Sequence, residues 1–207
     1  VGGRYALKKT TATTTELVLI DASESVVFPT EWSMSMWIKM PASIVNKRFV
    51  NIQNAGGYSN ILFMHFSGSA FSIDVRSNGL SKNYYKNASP FTPSAWNHLA
   101  YTQNSSGSGR TFVNGSEISF NAIYGNGGNG ILSSTLIMDV SVMSASGGGW
   151  YPLDAELSQM EIIQGVLSPA QVTSVYNAGE GATIKSVIGD TAYNALDFAY
   201  EWKLDEG

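Results

Sequence analysis

The chain has 207 residues, of which 43% are hydrophobic, 12% are aromatic and only 14% are charged, and it has a formal net charge of −4 and no cysteine. This apolar content excludes a disordered chain, and the lack of cysteine excludes disulfide bonds, thiolate catalysis and cysteine-ligated zinc. The twelve Lys and Arg residues form no basic cluster, which argues against a nucleic-acid partner, and no apolar run is long enough for membrane insertion.

The charges and the small polar residues are both unevenly used. Residues 1–110 carry ten Lys or Arg and five Asp or Glu, whereas residues 111–207 carry two and eleven. In a sandwich whose strands interleave, we expect much of this asymmetry to cancel in space. The 27 Ser, 15 Asn and 21 Gly residues indicate a surface built from small neutral groups rather than from charge.

Short alternating or apolar segments, separated by Gly, Asn and Ser, run through most of the chain. Their spacing is typical of an all-β protein rather than of alternating strands and helices. In the segment 32–38, Trp32, Met34 and Met36 share one face and Trp37 lies on the other. The predicted strands are 16–20, 32–38, 48–52, 61–66, 70–75, 96–103, 110–113, 117–121 and 135–143.

One β-hairpin can be predicted in detail. Asn114-Gly115 separates the strand that ends at Val113 from the segment that begins at Ser116. Asn-Gly suits the two positive-φ positions of a type I′ turn, whose twist matches antiparallel strands.

One short helix is predicted over about 168–178. Ser168 is placed as its N-cap, Pro169 takes the first helical position, and Gln171 completes a capping box. Gly179 supplies the left-handed residue that ends it. A helix of this length is marginal alone, so we expect it to dock on the sheets.

The tail 185–207 ends in an alternating apolar run at 198–204, which predicts a closing strand. The sequence therefore predicts a single domain over 1–207.

Three blocks in order resemble the laminin-G-like, concanavalin-A-like lectin/glucanase superfamily. They are the strand 32–39, the hairpin 96–115 and the segment 155–179 with its helix. The resemblance implies a jelly-roll β-sandwich of two antiparallel sheets. It implies no single function, because relatives include glycan-binding lectins, adhesion modules, calcium-dependent pentraxins, glycoside hydrolases and phage virion proteins.

The hydrolase branch of this superfamily carries Glu, Asp and Glu along one strand. The nearest match here is Glu156 to Glu161, with Ser158 where the helper Asp would stand. The odd spacing sends Glu161 to the opposite face from Glu156 unless a bulge intervenes. Ser cannot replace a carboxylate in proton transfer, so we expect no catalytic residues and a strand with its charges on the wet face.

Calcium is the one cofactor that the resemblance leaves open, and we expect no other. Calcium needs six to eight oxygen ligands, including more than one carboxylate. The candidates are Asp21 and Asp154, with Asp74 and Asp139 also near predicted strand ends. Each is also a residue type that caps its own turn.

A glycan or partner site needs aromatic rings that are free to stack. Two aromatic pairs fall where we expect loop tips on the rim, although alternation can also bury one ring of each pair. These pairs are Trp150-Tyr151 and Tyr84-Tyr85.

The remaining aromatic and imidazole candidates receive structural roles. We expect Trp37 and Trp96 to fill the core between the two sheets. His65 and His98 lack the neighbours of a Ser–His–Asp triad, so we expect hydrogen-bonded strand residues.

Together these patterns predict a non-enzymatic surface module of extracellular or virion location. By family analogy, the first hypothesis is a virion structural, decoration or fibre protein whose rim loops contact other protein subunits or a host surface. The alternative is a lectin-like module of a secreted adhesin or enzyme that binds a cell-surface glycan. A glucan hydrolase is a distant third.

Overall fold

The structure is a computed structural model that describes residues 4–6, 17–20, 29–54, 60–77, 80–125, 138–142, 151–152, 155–196 and 199–203. Its strands and helices in that part of the chain are β1 Arg4–Ala6, β2 Leu17–Ile20, β3 Trp32–Lys39, β4 Lys47–Asn54, β5 Asn60–Ser67, β6 Ala70–Ser77, β7 Leu80–Lys86, β8 Trp96–Gln103, β9 Gly109–Val113, β10 Ser116–Glu117, β11 Ala122–Tyr124, β12 Met138–Val142, β13 Tyr151–Pro152, β14 Glu156–Gln164, α1 Pro169–Asn177, α2 Ile184–Ile188, α3 Asp190–Asn194 and β15 Ala199–Lys203.

The strands form two sheets that pack as a sandwich. The seven-stranded sheet has the order β1-β15-β14-β3-β8-β9-β10, and the eight-stranded sheet has the order β11-β7-β6-β5-β4-β12-β2, with β13 beside β4. Among the described strands, the pairs β1–β15 and β13–β4 are parallel and the others are antiparallel. The predicted all-β jelly-roll sandwich is confirmed.

The main core lies between the two sheets and follows from the alternation of each strand. Trp32, Met34 and Met36 of β3 point inward, as the sequence predicts, and are at most 1% exposed. Their cluster includes inward residues of the opposite sheet, among them Val50, Ile52, Leu62, Met64, Phe66, Phe71, Ile73 and Val75.

A second apolar cluster covers the outer face of the seven-stranded sheet. It joins Phe112 of β9 and Ile163 of β14 to Val172 of α1, Ile184 of α2 and Tyr193 of α3. The predicted capping box of α1 is confirmed, with Ser168 and Gln171 bonded reciprocally. Helices α2 and α3 are not predicted from the sequence, because five residues are too few to show a helical period.

The prediction that Trp37 and Trp96 fill the gap between the sheets is wrong. Trp37 is only 4% exposed, but its ring lies on the outer face, 5.1 Å from His98 and 6.0 Å from Tyr176 of α1 between ring centroids. Trp96, on the same face as His98 by alternation, is half-buried at the start of β8. The inward position of Trp32 already fixes this outward position of Trp37.

The predicted hairpin is confirmed, although its second strand is shorter than expected. Asn114 and Gly115 have φ values of 51° and 74°, and β9 pairs with β10 in antiparallel register. Strand β10 ends at Glu117 rather than at Asn121.

Candidate functional site

The outer face of the eight-stranded sheet carries the polar and aromatic side chains that suit a binding surface. On β6, Phe71, Ile73 and Val75 point into the core, so Asp74 and Arg76 point outward. Asp74 is partly accessible and Arg76 is exposed. On the same face, Asn51, His65 and Ser72 are at most 5% exposed, so the accessible part of this face lies toward β7 and β11.

Two tyrosines form the edge of this face. Tyr85 of β7 is half-buried, and Tyr124 of β11 is 59% exposed. Their ring centroids lie 6.2 Å apart with a near-perpendicular arrangement. Strand β11 pairs with β7 so that Tyr124 stands opposite Asn83, which holds both rings on a backbone fixed by cross-strand hydrogen bonds.

A polar group lies next to the tyrosines. Asn83 Nδ2 donates a hydrogen bond to Asp74 Oδ1, and His65 Nδ1 lies 3.6 Å from Asp74 Oδ2. Burial lowers the pKa of His65, the Asp74 charge raises it, and Arg48 lowers it further. The amide and carboxylate are therefore oriented before any ligand arrives, as a site that recognises hydroxyl groups requires.

Phe63 of β5 and two guanidinium groups continue the same face. The Cζ atoms of Arg48 and Arg76 lie 4.3 Å and 5.9 Å from the Phe63 ring centroid. Arg48 and Phe63 are 8% and 5% exposed. The accessible part is the Arg76 side, toward Asp74, Asn83 and the tyrosines. We call Asp74, Arg76, Asn83, Tyr85 and Tyr124 the tyrosine face.

The two sheets differ less in charge than the two halves of the sequence do, which carry net charges of +5 and −9. The strands of the eight-stranded sheet carry five Lys or Arg and two Asp, whereas those of the seven-stranded sheet carry four Lys or Arg and four Glu. The remaining positive charge lies on β4 and β7, which both belong to the eight-stranded sheet.

The prediction that Tyr84-Tyr85 lies at a loop tip is wrong, because both residues belong to β7. Tyr84 points inward and packs on Phe120, with 5.4 Å between ring centroids, and burial raises its pKa. Only Tyr85 faces outward. The polar composition Ser-Lys-Asn around the pair suggested a loop, but a strand near the edge of a sheet tolerates polar residues on its wet face.

Several predicted site residues lie outside the described residues, and these are Trp150, Asp21 and Asp154. Tyr151 begins β13 and is paired with Lys47. Among the described residues, no group of three or more His, Cys, Asp or Glu is placed to hold a metal ion. Calcium at Asp21 and Asp154 stays a prediction.

The carboxylates of β14 do not form an accessible pair. A register shift between Leu157 and Met160 supplies the bulge, so Glu156 and Glu161 share the outer face after all. Glu156 lies 3.3 Å from Lys39 Nζ, whereas Glu161 is 0% exposed beneath α2, where its Oε2 accepts a hydrogen bond from the Ile184 amide. The expectation that Glu161 lies on a wet face is therefore wrong.

Ser35 and His98 also meet on this covered face. Ser35 Oγ and His98 Nε2 are 2.8 Å apart, the distance expected of a nucleophile and its base. Both are buried, at 3% and 0% exposure, and burial lowers the pKa of His98 to about 4. The pair fits the expectation that His98 is a hydrogen-bonded strand residue.

The two packed sheets define the class of protein as a jelly-roll β-sandwich. A family model described as the concanavalin A-like lectin/glucanases superfamily matches residues 12–173. The chain belongs to this superfamily, and the predicted resemblance is confirmed. Among curated protein sequences, no match was found.

Three solved structures illustrate the similarity. Domain 4 of AbnA, a GH43 extracellular arabinanase from Geobacillus stearothermophilus in complex with arabinotriose, has a TM-score of 0.56 and 17% identity, covering 77% of this chain and 71% of that one. The Ruminococcus gnavus IT-sialidase CBM40 bound to α2,3-sialyllactose has a TM-score of 0.56 and 14% identity, covering 79% and 92%. The heptameric SAP-like pentraxin from Limulus polyphemus has a TM-score of 0.53 and 16% identity, covering 80% and 78%. At these identities the likeness shows the fold alone.

Within the part of the chain that the structure describes, no helix has the length and apolar character needed to cross a lipid bilayer.

Proposed function

We propose that this chain is a non-enzymatic, glycan-binding module of an extracellular protein, and that the tyrosine face is its binding site. The observation that carries the proposal is the pairing of Tyr85 and Tyr124 beside the oriented Asn83–Asp74 hydrogen bond. Two of the similar structures hold arabinotriose and sialyllactose, which supports a glycan ligand.

The chemistry of the face suits a sugar. A pyranose ring offers an apolar C–H face to an aromatic ring and hydroxyl groups to amides and carboxylates around its edge. Tyr124 supplies an exposed ring, and Asn83 and Asp74 supply acceptors and donors within two strand spacings of it. Because the side chains stand on paired strands, little conformational entropy is lost on binding.

A non-enzymatic role is supported by the carboxylates. The two Glu residues of β14 that correspond best to a hydrolase pair are held by Lys39 and by the Ile184 amide, and Glu161 has no exposed surface. An acid and a nucleophile must both reach the glycosidic bond. The tyrosine face itself contains one carboxylate, Asp74.

A glycan array followed by titration calorimetry tests the proposal. We expect Tyr124→Ala to weaken binding about tenfold or more, because aromatic contacts dominate small interfaces. Tyr124→Phe keeps the ring and should bind nearly as the native chain does. Val166→Ala, an exposed apolar residue on a different loop, is the matched surface control.

Binding that is unchanged by Tyr124→Ala would place the sugar elsewhere. Trp150 and Tyr151 are the next candidates, so Trp150→Ala belongs in the same series. Calcium at Asp21 and Asp154 is part of this proposal too, and adding EDTA and then CaCl2 during titration tests it.

The second candidate function is a structural, decoration or fibre subunit of a virion. The exposed apolar side chains Val45, Ile123 and Val166, together with the Ser-, Asn- and Gly-rich composition, favour it, because neighbouring subunits would cover such side chains. Light scattering of the purified chain separates the candidates. An ordered oligomer that binds no glycan supports the virion role, and a glycan-binding monomer supports the lectin-like role.

A further inference from the structure

The strands of the eight-stranded sheet carry more basic than acidic residues, although the protein as a whole is acidic. The chain has a net charge of −4, yet the eight strands of this sheet carry a net charge of +3, from five Lys or Arg against two Asp. The basic residues are Lys47, Arg48, Arg76, Lys82 and Lys86. Arg48 and Arg76 point to the outer face, whereas Lys82 and Lys86 pair with the inward residues Val75 and Phe71. A neutral sugar would gain nothing from this distribution, whereas an anionic one would be attracted to it.

Arg76 is the cation that this sheet offers to a ligand. It is exposed, it lies on the outer face beside Asp74, and it makes no ion pair with another described residue. Its guanidinium lies 5.9 Å from the Phe63 ring centroid, which holds one side of the group against an aromatic surface. The N–H groups at its free edge are then available for a planar oxyanion, and a carboxylate fits this fork in a bidentate manner.

The spacing between Arg76 and the tyrosines sets the length of the ligand. Tyr124 stands opposite Asn83, Asn83 stands opposite Asp74, and Arg76 is two residues further along β6. Two strand spacings and two residues place the Cα atoms of Tyr124 and Arg76 about 12 Å apart. This is the span of a short oligosaccharide rather than of one sugar.

We propose that the tyrosine face binds an acidic oligosaccharide, with one sugar ring stacked on Tyr124 and a carboxylate of another sugar paired with Arg76. The inference rests on the proposed function, since it names the class of glycan for the same site. The carboxylate can come from a uronic acid or from a sialic acid, because both present the same planar anion to a guanidinium.

The test compares each acid with its neutral counterpart. The probes are trigalacturonic acid and α2,3-sialyllactose, each with its methyl ester, titrated into the native chain and into Arg76→Gln. We expect at least one acid to bind the native chain. Its neutral counterpart should bind the native chain about tenfold more weakly, and the acid should bind Arg76→Gln about tenfold more weakly. A loss of about tenfold is the usual effect of losing one charge-assisted hydrogen bond. Raising NaCl from 0.05 to 0.5 M should weaken binding of the acidic probe and leave binding of the neutral probe unchanged.

Arg110→Gln is the matched control. Arg110 is an exposed arginine of the seven-stranded sheet, where its Nε donates to Glu117 Oε1 at 2.9 Å, so the substitution removes one guanidinium on the opposite side of the molecule. The Arg110→Gln variant should bind the acid with the same affinity as the native chain does. Circular dichroism of both variants checks that the fold is retained.

The outcomes distinguish failure of this inference from failure of the proposed glycan-binding function. If neutral and acidic probes bind equally well, or if Arg76→Gln binds as tightly as the native chain, the acidic class is wrong while glycan binding stands. Binding of sulfated glycans alone on an array also overturns the carboxylate assignment. If no glycan of any class binds, the proposed function fails, and this inference fails with it.

Discussion

The substitution Glu161→Gln should change how the stability of the chain depends on pH. Glu161 is fully buried between β14 and α2, and its Oε1 atom has no hydrogen-bond partner among the described residues. Burial raises the pKa of Glu161 to about 7, the Ile184 amide opposes this, and the Glu201 charge on β15 adds to it. The Lys185 amide and charge lower it, less strongly.

The size and sign of the effect follow from linkage. A pKa of about 7 in the folded chain and 4.5 in the unfolded chain means that the folded chain binds the proton more tightly, by about 3 kcal/mol. This contribution to the free energy of unfolding is fully present below pH 4.5 and is lost as the pH rises to about 7. His98 acts in the opposite direction, because burial lowers its pKa from 6.5 to about 4, and its contribution is lost as the pH falls through that range.

Because the two groups oppose each other in the native chain, the difference between variants is the quantity to measure. Urea unfolding of the native chain and of Glu161→Gln, each between pH 4 and pH 8, gives the free energy of unfolding at every pH. We expect the variant to gain about 3 kcal/mol relative to the native chain across this range. Glu117→Gln, at an exposed carboxylate paired with Arg110, is the control and should show no such gain. Parallel pH profiles for the native chain and Glu161→Gln would refute the reasoning.

Two further predictions concern single substitutions, one at two turn glycines and one at the N-cap of α1. Gly115 has φ +74°, and a Cβ there would lie 2.8 Å from Tyr176 Cδ1, whereas Gly68 has φ +60° and nothing within 4 Å. In thermal unfolding, Gly68→Ala should lower the free energy of unfolding by about 1–2 kcal/mol through backbone strain alone. Gly115→Ala should lower it by about 1–3 kcal/mol more, because the new Cβ contacts Tyr176. Equal losses would mean that α1 moves to accommodate the new methyl group. Ser168→Ala removes the N-cap that bonds to Gln171 and should cost about 1 kcal/mol in urea unfolding, and a loss near zero would show that packing of α1 makes the cap redundant.

Alternation and turn chemistry were enough to predict most of the fold. The inward row of β3, the Asn114-Gly115 turn and the capping box of α1 depend on neighbours within a few residues, so the sequence contains the whole cause. Trp37 was misplaced because its size suggested the core, although the alternation of β3 pointed the other way. A large ring can be buried just as well under a docked helix.

The candidate site was less predictable, because it depends on pairing between strands that are distant in the sequence. Tyr124 precedes a glycine-rich run and becomes part of the site only through its register with Asn83. A bulge at Ser158-Gln159 places Glu161 on the outer face with Glu156. No sequence pattern near these residues predicts that register shift. Strand β7 was also not predicted, because its sequence is polar and its strand structure depends on pairing with β6 and β11.

The parallel pairing of β1 and β15, the first and last of the described strands, has a mechanical consequence. Arg4, Tyr5 and Ala6 pair with Glu201, Trp202 and Lys203, and both strands run in the same direction. A tension that pulls the backbone before β1 and the backbone after β15 in opposite directions acts along these strands, so it shears their hydrogen bonds together instead of opening them one by one. A molecule tethered in this way to a surface would resist extension first at this contact.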